Sequence, residues 1–380
     1  MKIIHIINSL KKGGAEGNLY RLSKFQKKKY KKKINIIIIT LIDNGFYEKD
    51  MKKLGIKIFS LRMQRNEKIF DFVKKIIKLR NFIKIHNPDI IQSWMYHSNF
   101  ITLFLPKKFY EKIFWSIRHS VLNFQNSKKK TIILSKICGL FSKIVPKKII
   151  YNSEKSIIFN ENNHFYSKNK TVLIENGYND KTFYPSKYLR KNFRKKYKIR
   201  DSDIILGFAG RYSKIKNIPS LLIAFSKIVK DYDNVYLCMV GKDINLNNNG
   251  LKSLIFDLKI QDKVVLLNEK KNLNQFYNGI DLLVLTSFAE SFPNVIAESM
   301  LCSTPVLSTD VGCSKRIIKD CGFIVKKNNQ LSIMFSIKKS LTLLKNRKKW
   351  QSLKKNSRIR IKKNFSIPKM ANSYLDNWVF

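Results

Sequence analysis

The chain has 380 residues, and its 75 Lys and Arg outnumber its 26 Asp and Glu, so the formal net charge at pH 7 is +49. A hydrophobic fraction of 44% supplies enough apolar side chains for real cores, which excludes a globally disordered chain. The length suits two domains of ordinary size. The charge favours an anionic partner such as nucleic acid, an anionic membrane face or a phosphorylated substrate. Lys, Ile and Asn are abundant together throughout, so compositional bias accounts for part of the charge.

Cysteine usage and the N-terminal residues bear on the compartment. The five cysteines form no C-x-x-C pair and no zinc-ligand spacing, which favours a reducing compartment and roles in packing. The N-terminal Met-Lys-Ile-Ile-His-Ile-Ile is too short and polar for a signal peptide and predicts a first buried strand. We expect a cytoplasmic protein, and attachment to the inner face of the cell membrane stays open.

The first half alternates short apolar runs with longer amphipathic ones. The predicted strands are Lys2–Ile7, Ile34–Thr40, Ile56–Ser60, Asp89–Trp94, Ile113–Arg118 and Lys148–Tyr151. The predicted helices are Asn18–Lys29, Phe70–His86 and Thr131–Ile144. This alternation indicates a doubly wound parallel sheet that binds ligands at the carboxyl ends of its strands.

The second half repeats the pattern. Its predicted strands are Asp203–Phe208, Val235–Val240, Lys263–Leu267, Asp281–Leu285 and Pro305–Ser308. Its predicted helices are Ser220–Lys230, Leu251–Leu258, Asn274–Gly279 and Pro293–Leu301, and residues 328–360 are predicted helical and basic. We place a linker at Thr182–Arg200, which gives an N-terminal domain of residues 1–183, a C-terminal domain of residues 184–366 and a final helix over residues 367–380. Two Rossmann-like halves predict a ligand site in an interdomain cleft.

The stretch from Thr286 to Met300 carries the strongest candidate site. Glu290 lies in the loop after a buried strand, and Glu298 lies about a turn and a half into the following helix. Pro293 is tolerated where that helix begins, since N–H groups there have no intrahelical partner. Two carboxylates beside a helix N-terminus, which favours phosphate, indicate a nucleotide-sugar site. A capped helix with a solvated glutamate is the alternative.

Two strings in the first half follow predicted strands and have two interpretations each. Gly13-Gly14-Ala15-Glu16 lets backbone N–H groups approach a phosphate or substrate, or is a simple strand–helix turn. His119 in Arg118-His119-Ser120 ends a strand and is placed to donate to a ligand oxygen, or is a structural histidine. His97 in Trp-Met-Tyr-His-Ser has the same two interpretations.

The second half has two further strand-end strings. Gly210-Arg211 leads to Lys216, and an arginine there suits a bidentate pair with a pyrophosphate while Lys216 adds a point charge. Gly241 in Val-Gly-Lys contacts a nucleotide or makes a plain turn. Asp201-Ser-Asp203 has the D-x-D form of metal-dependent transferases, but it precedes a strand and is better explained as a turn.

Taken together, these strings resemble a retaining glycosyltransferase of the GT-B fold, family 4 in sequence classification. The Glu290-to-Glu298 spacing is the most specific element, and "GGAE", "IRHS", "ENGYN", "GRYSKIKN", "VGK" and "STDVG" add to it. The "WMYHS" and "IRHS" strings are most similar to enzymes that build O-antigen, capsule or other surface polysaccharide. Cys313 departs from the family, which often has Asp there.

The resemblance implies roles for the residues. Arg211 and Lys216 would neutralise the donor pyrophosphate in place of a metal ion, Glu298 would hold the donor ribose, and Glu290 would hold the hydroxyls of the transferred sugar. His119 would contact that sugar near the reacting carbon. The remaining donor contacts would come from Gly14, Gly210, Gly241, Phe292, Pro293, Asn294 and Val295, and the acceptor contacts from Gly13, Gly14, His97 and His119.

The resemblance also implies the chemistry and the partners. It implies front-side substitution with retained anomeric configuration, a nucleotide-sugar co-substrate carrying a hexose-type sugar, and no cofactor or metal. The acceptor would be a lipid-linked saccharide, and the final helix would cross back to the first domain. A sugar-nucleotide epimerase of related fold and a basic nucleic-acid-binding protein stay alternatives. We expect no nucleic-acid partner, because the lysines spread over the whole chain without a reader motif.

An anionic membrane surface is a further candidate partner, motivated by basic runs in the first half. These runs are Lys27–Lys33, Lys107–Lys108, Lys128–Lys130 and Lys143–Lys148. A solvated surface explains them nearly as well.

Overall fold

The computed structural model describes residues 1–43, 45–64, 67–119, 122 and 129–379. Ser120 and Lys128, which belong to strings quoted above, lie outside these residues. The chain divides into two compact units: Met1–Gly177 with the C-terminal segment from Ile367 onward, and Tyr178–Ser366.

The first unit has a parallel sheet whose described strands run in the order β3-β2-β1-β4-β5-β6-β7. These strands are β1 (Lys2–Ile7), β2 (Asn35–Thr40), β3 (Lys57–Ser60), β4 (Ile90–Trp94), β5 (Ile113–Ile117), β6 (Lys148–Tyr151) and β7 (Thr171–Leu173). The isoleucine runs of β1 and β2 are buried on both faces, as a parallel sheet between two helix layers requires.

Helices cover both faces of this sheet. They are α1 (Gly14–Tyr30), α2 (Glu48–Lys53), α3 (Ile69–His86), α4 (Met95–Thr102), α5 (Lys129–Phe141) and α6 (Glu154–Asn163). The helices α1 and α2 pack with Ile3 and Ile7 of β1, whereas α3, α4 and α5 pack with Ile4 and Ile6. Because neighbouring residues of a strand point to opposite faces, these are two separate layers.

The second unit has a parallel sheet whose described strands run in the order β10-β9-β8-β11-β12-β13. These strands are β8 (Ile204–Ala209), β9 (Val235–Val240), β10 (Val264–Leu266), β11 (Leu282–Leu285), β12 (Val306–Thr309) and β13 (Phe323–Val325). Its helices are α7 (Lys187–Lys196), α8 (Ile218–Ile228), α9 (Asn249–Asp257), α10 (Asn274–Gly279), α11 (Asn294–Leu301), α12 (Ser314–Ile318), α13 (Gln330–Lys345) and α14 (Arg347–Asn364). The basic stretch predicted helical over residues 328–360 is thus divided at Asn346, which caps α14.

The predicted linker Thr182–Arg200 is wrong, because most of it is α7, a helix of the second unit. Phe193 is buried in the core of that unit, and Arg194 pairs with Asp281 at 2.7 Å. The segment reads as polar because only one face of α7 is buried, and Arg190 on that face also pairs with Asp281. Its lysines therefore mark a solvated helix face.

The unit boundary lies at Gly177 and Tyr178, earlier than the predicted boundary after residue 183. The Tyr178 N–H donates to the Phe365 carbonyl at 2.9 Å, and the Tyr178 ring belongs to the core of the second unit. The last helix, α15 (Ile367–Val379), packs on α1 in the first unit through Met370, Tyr374 and Trp378. Within the described residues, no helix is long and apolar enough to cross a membrane.

The strand order places a switch point in each sheet. In the first unit the order reverses between β1 and β4, and in the second unit it reverses between β8 and β11. Loops leaving two such strands diverge to opposite faces, which opens a crevice at their carboxyl ends. The loops that follow these strands are therefore the candidate binding loops.

Candidate functional site

An ion pair lies at the switch point of the second unit. Lys216 follows β8 and Glu290 follows β11, and the Lys216 ammonium donates to Glu290 Oε1. Each side chain keeps 17% of its surface exposed. Ser287 Oγ donates to the same carboxylate oxygen at 2.9 Å. The structure therefore brings two of the predicted site residues together, although they are far apart in sequence.

The two loops that carry this pair are fastened to each other. Thr286 Oγ1 donates to the carbonyls of Lys216 and Asn217 at 3.0 and 3.2 Å. Asn328 Nδ2 donates to the carbonyls of Thr286 and Ser287 at 3.3 and 3.0 Å, and its Oδ1 accepts from Asn217 Nδ2 at 3.0 Å. Asn328 is not predicted from the sequence, because it follows β13, a three-residue strand too short to show a pattern.

Glu298, the second glutamate, has a different partner. The Tyr277 hydroxyl donates to Glu298 Oε2 at 2.9 Å. Burial and the nearby Glu298 carboxylate raise the pKa of Tyr277 well above its ordinary value, so this tyrosine stays a neutral donor. The hydrogen bond fixes the carboxylate on α11, and no sequence spacing marked Tyr277.

The start of α11 lies between the two glutamates. Phe292 and Pro293 are buried, Asn294 and Val295 are half-buried, and Pro293 is the N-cap, so the helix begins one residue later than predicted. The Tyr178 hydroxyl donates to Asn294 Oδ1. Tyr178, which follows Asn176 and Gly177 in the string "ENGYN", thus holds the N-terminus of α11.

Glycines allow close approach of the backbones around this site. Gly241 has φ +154°, and a Cβ there would lie 1.9 Å from the Gly210 carbonyl oxygen. Gly312 has φ +51°, and a Cβ there would lie 2.3 Å from the carbonyl oxygens of Glu290 and Ser291. Side chains at either position would push the strand-end loops apart.

Arg211 is exposed and lies in the loop between Gly210 and Lys216. Among the residues that the structure describes, no carboxylate pairs with its guanidinium. An exposed arginine and a half-buried ammonium therefore come from one loop at the carboxyl edge of the sheet.

In the first unit, Gly13 and Gly14 start α1 after β1. Gly13 is the N-cap with extended backbone, and a Cβ there would lie 2.2 Å from Glu16 Oε2. The Glu16 side chain therefore folds back over the start of its own helix, and burial raises the pKa of its carboxyl group. Gly13 makes room for this carboxylate.

The two candidate histidines of the first unit lie after β4 and β5. His119 is exposed, its ring stacks on Tyr96 with centroids 6.0 Å apart, and its carbonyl accepts from Ser156 Oγ. His97 is exposed on α4, which follows β4 directly instead of through a loop. Both histidines thus lie beside Tyr96 on the loops and helix that leave the sheet.

Arg118, next to His119, has a structural role that the sequence analysis missed. Its buried guanidinium donates to Asn176 Oδ1, to the Tyr374 hydroxyl on α15 and to Ser116 Oγ, the last at 3.1 Å. It also lies 4.8 Å from the ring centroid of Trp94. Arg118 therefore joins the end of β5 to the last helix and fixes the chain that leads to His119.

Comparisons with known proteins agree with this geometry. Residues 190–360 match the family described as Glycosyl transferases group 1, a range that contains Lys216, Glu290 and Glu298. This segment is similar to group 1 glycosyltransferase domains. The match lies within the second unit, where the ion pair and both glutamates lie.

Curated relatives and a solved structure extend the likeness. N-acetyl-alpha-D-glucosaminyl L-malate synthase of Bacillus anthracis is 25% identical over 57% of this chain and 56% of that protein. The capsular polysaccharide biosynthesis glycosyltransferase CapM of Staphylococcus aureus is 29% identical over 48% of this chain and 49% of that protein. An N-acetylgalactosamine-N,N'-diacetylbacillosaminyl-diphospho-undecaprenol 4-alpha-N-acetylgalactosaminyltransferase of Campylobacter jejuni is 28% identical over 40% of each chain.

The chain spans about half the length of the first two of these relatives. Anabaena Alr3699/HepE, solved in complex with UDP-glucose, has a TM-score of 0.82 at 17% identity and covers 99% of both chains. The predicted fold class, GT-B with two Rossmann-like parallel-sheet domains, is confirmed by this fold and by the two sheets.

Proposed function

We propose that this protein is a retaining glycosyltransferase of family 4 that moves a hexose-type sugar from a nucleotide sugar to a saccharide acceptor. The observation that carries the proposal is the Lys216–Glu290 pair at the switch point of the segment similar to group 1 glycosyltransferase domains. A cation and a carboxylate at that point suit the two halves of a nucleotide sugar, the diphosphate and the sugar hydroxyls.

The charges at the site support a metal-independent reaction. The donor diphosphate gains charge as the bond to the sugar breaks, and Lys216 and Arg211 are positioned in one loop to neutralise it. Glu290 then accepts from the sugar hydroxyls, and Ser287 keeps this carboxylate oriented. Glu298, held by Tyr277, accepts from the donor ribose. The proposed chemistry is front-side substitution at the anomeric carbon, with no cofactor.

The remaining site residues have proposed roles in the two substrates. Backbone N–H groups of Phe292, Asn294 and Val295 at the start of α11 face the diphosphate or sugar, because a helix N-terminus favours anions. His119 contacts the transferred sugar, and His97 with Gly13 and Gly14 binds the acceptor.

The acceptor is proposed to be a lipid-linked saccharide used in surface polysaccharide biosynthesis, such as O-antigen or capsule. The names of the Staphylococcus aureus and Campylobacter jejuni relatives, which cite capsular polysaccharide and a diphospho-undecaprenol carrier, support this assignment. We place the protein in the cytoplasm at the inner face of the cell membrane. A UDP-sugar is the first donor to test, because HepE was solved with UDP-glucose.

The test combines binding with product analysis. A ligand that binds only the native state raises the apparent melting temperature, so a thermal-shift screen of nucleotide sugars identifies the donor. Incubation with that donor and a diphospho-lipid saccharide should yield an elongated saccharide whose new bond keeps the donor's anomeric configuration by NMR. An inverted product, an epimerised nucleotide sugar or the absence of transfer with every donor would overturn the proposal.

A further inference from the structure

The outward face of α3 is apolar and has no cover in the described structure. Helix α3 uses Ile76, Leu79 and Ile83 to pack on the sheet of the first unit. A second apolar set is solvent-exposed on the same helix. The exposed fractions are 83% for Ile69, 69% for Phe70, 46% for Val73 and 49% for Ile77.

These four residues form one stripe, which we call the α3 stripe. At ~100° per residue, Ile69, Phe70, Val73 and Ile77 fall within roughly 100° of the helix circumference, beside the buried face. Single exposed apolar residues are normal on a protein surface, but a contiguous patch of this kind marks an interaction site.

Basic residues lie on one side of the stripe and at its C-terminal end. Lys74 and Lys78 lie along one side of it, and Arg80 and Lys84 continue its face toward the C-terminal end of α3. The Lys74 ammonium lies 4.3 Å from the centroid of the Phe70 ring. An apolar stripe bordered by cations matches an anionic lipid surface, where apolar side chains enter the acyl boundary and cations meet the headgroups.

The charge also decides against a second copy of this chain as the cover. Two copies meeting at this stripe would bring Lys74 and Lys78 of one copy against those of the other. Like charges brought together at an interface cost free energy, whereas anionic headgroups neutralise them.

The position of the stripe fits an acceptor carried by lipid. Helix α3 follows the carboxyl end of β3 and returns to the amino end of β4, so its first turns lie toward the carboxyl edge of the sheet. That edge also carries His97 and His119. Three of the four basic runs that motivated a membrane surface lie elsewhere, because the residues before β2, β5 and β6 are at the amino edge of the sheet. From the fourth run, Lys129 and Lys130 begin α5, which leaves the carboxyl end of β5.

We propose that the α3 stripe docks the first unit on an anionic lipid bilayer, with Ile69, Phe70, Val73 and Ile77 inserted at the interface. This inference rests on the proposed function, because docking on the bilayer would give the enzyme access to a lipid-linked acceptor. It identifies a docking surface that the lysine runs do not.

Vesicle co-sedimentation of the full chain tests the docking. The parent protein should sediment with vesicles of phosphatidylglycerol and phosphatidylcholine, and much less with phosphatidylcholine alone. Phe70→Ser with Ile77→Ser should weaken partitioning roughly tenfold or more, because apolar area drives insertion. Lys74→Gln with Lys78→Gln should weaken binding to the anionic vesicles roughly fivefold per lysine.

The matched control is Leu331→Ser with Phe335→Ser, which removes an exposed apolar pair one turn apart on α13 of the second unit. This control should sediment like the parent. Equal binding of the stripe variant and the parent, or no binding of the parent to anionic vesicles, would overturn the docking. So would a concentration-dependent dimer that the stripe variant loses without any vesicle binding.

Transfer to a water-soluble acceptor separates this inference from the proposed function. The stripe variant should keep that transfer, since Phe70 and Ile77 are exposed and neither is a proposed site residue. If the parent protein transfers sugar but does not bind vesicles, the docking proposal alone is contradicted. If the parent protein binds vesicles but transfers no sugar, the proposed function alone is contradicted.

Discussion

Lys216 and Glu290 form a half-buried ion pair whose geometry depends on both partners. An ammonium in that position has one carboxylate to neutralise it, and a bound diphosphate would offer it stronger acceptors. The pair therefore keeps Lys216 in place before the donor arrives. The pair also holds the Glu290 carboxylate in an orientation that accepts hydrogen bonds from sugar hydroxyls.

Replacing Lys216 with Ala should lower turnover roughly 100-fold, because one fewer cation stabilises the departing diphosphate. Arg211→Ala should have an effect of the same order. Steady-state transfer from the identified nucleotide sugar measures both. Lys214→Ala, which removes an exposed lysine of the same loop, is the control and should leave turnover unchanged. Full turnover in a folded Lys216→Ala protein would remove this residue from the site.

The Tyr277 hydroxyl is the fixed donor to Glu298. Tyr277→Phe should cost about 1.5–3 kcal/mol of unfolding free energy, because the hydrogen bond is to a carboxylate. It should also raise KM for the donor, since the carboxylate loses its orientation. Urea unfolding and donor titration measure the two effects. Tyr188→Phe changes an exposed tyrosine on α7 and should alter neither. An unchanged KM would place Glu298 outside the donor contacts.

At the scale of elements, Asn328 joins the loops that leave β8, β11 and β13. Its side chain bonds to Thr286, Ser287 and Asn217, and so fixes the spacing between Lys216 and Glu290. Loops without such cross-links move independently of each other. Asn328 therefore holds the catalytic side chains of the site at defined positions.

Asn328→Ala should lower turnover about tenfold or more, because small misplacements of catalytic groups carry large costs. The control is the adjacent Asn329→Ala. Asn329 caps α13 by accepting from the Ser332 N–H at 2.9 Å, so its loss should cost ~1 kcal/mol of stability without a turnover defect. Turnover and urea unfolding of both variants give the comparison. A defect of equal size in turnover for the two variants would contradict a positioning role for Asn328.

The element level also shows where sequence patterns succeed. The strands β1, β6 and β9 have the predicted bounds, because largely apolar runs are typical of strands in a sheet covered on both faces. The pattern failed at α7, whose one buried face carries Arg194 as well as Phe193. A buried arginine satisfied by Asp281 is invisible to hydrophobic periodicity.

The whole molecule carries a formal net charge of +49 at pH 7. At low pH, protonation of buried histidines adds further positive charge. Burial lowers the pKa of His5 from its ordinary 6.5 to about 3 and that of His164 to about 4. The folded pKa is depressed, so the stability from neutral His5 is complete above pH 6.5 and is lost as the pH falls toward 3. Both histidines belong to the first unit.

The first unit should therefore lose stability on acidification below about pH 6.5, by roughly 4–5 kcal/mol from His5 alone near pH 3. Three of the four tryptophans, Trp94, Trp115 and Trp378, lie buried in that unit, so tryptophan fluorescence during urea unfolding reports mainly on it. His5→Gln, which keeps an acceptor for the Trp94 Nε1–H, should flatten the dependence of stability on pH.

The control for this pH series is His86→Gln, which changes a half-buried histidine at the end of α3. The stability of this variant should depend on pH as steeply as that of the parent protein. A His5→Gln protein whose stability falls with pH as steeply as that of the parent would contradict the assignment.

By itself the sequence determined the two parallel sheets, the Glu290-to-Glu298 spacing and the family resemblance, because strand–helix alternation and short motifs are local in the chain. Only the tertiary structure decided the partners: Lys216 with Glu290, Tyr277 with Glu298 and Arg118 with Tyr374. These contacts join residues far apart in sequence, and strand order alone determines which loops meet. The α3 stripe belongs with them, since its residues read as core until the packing of the helix shows which face is covered.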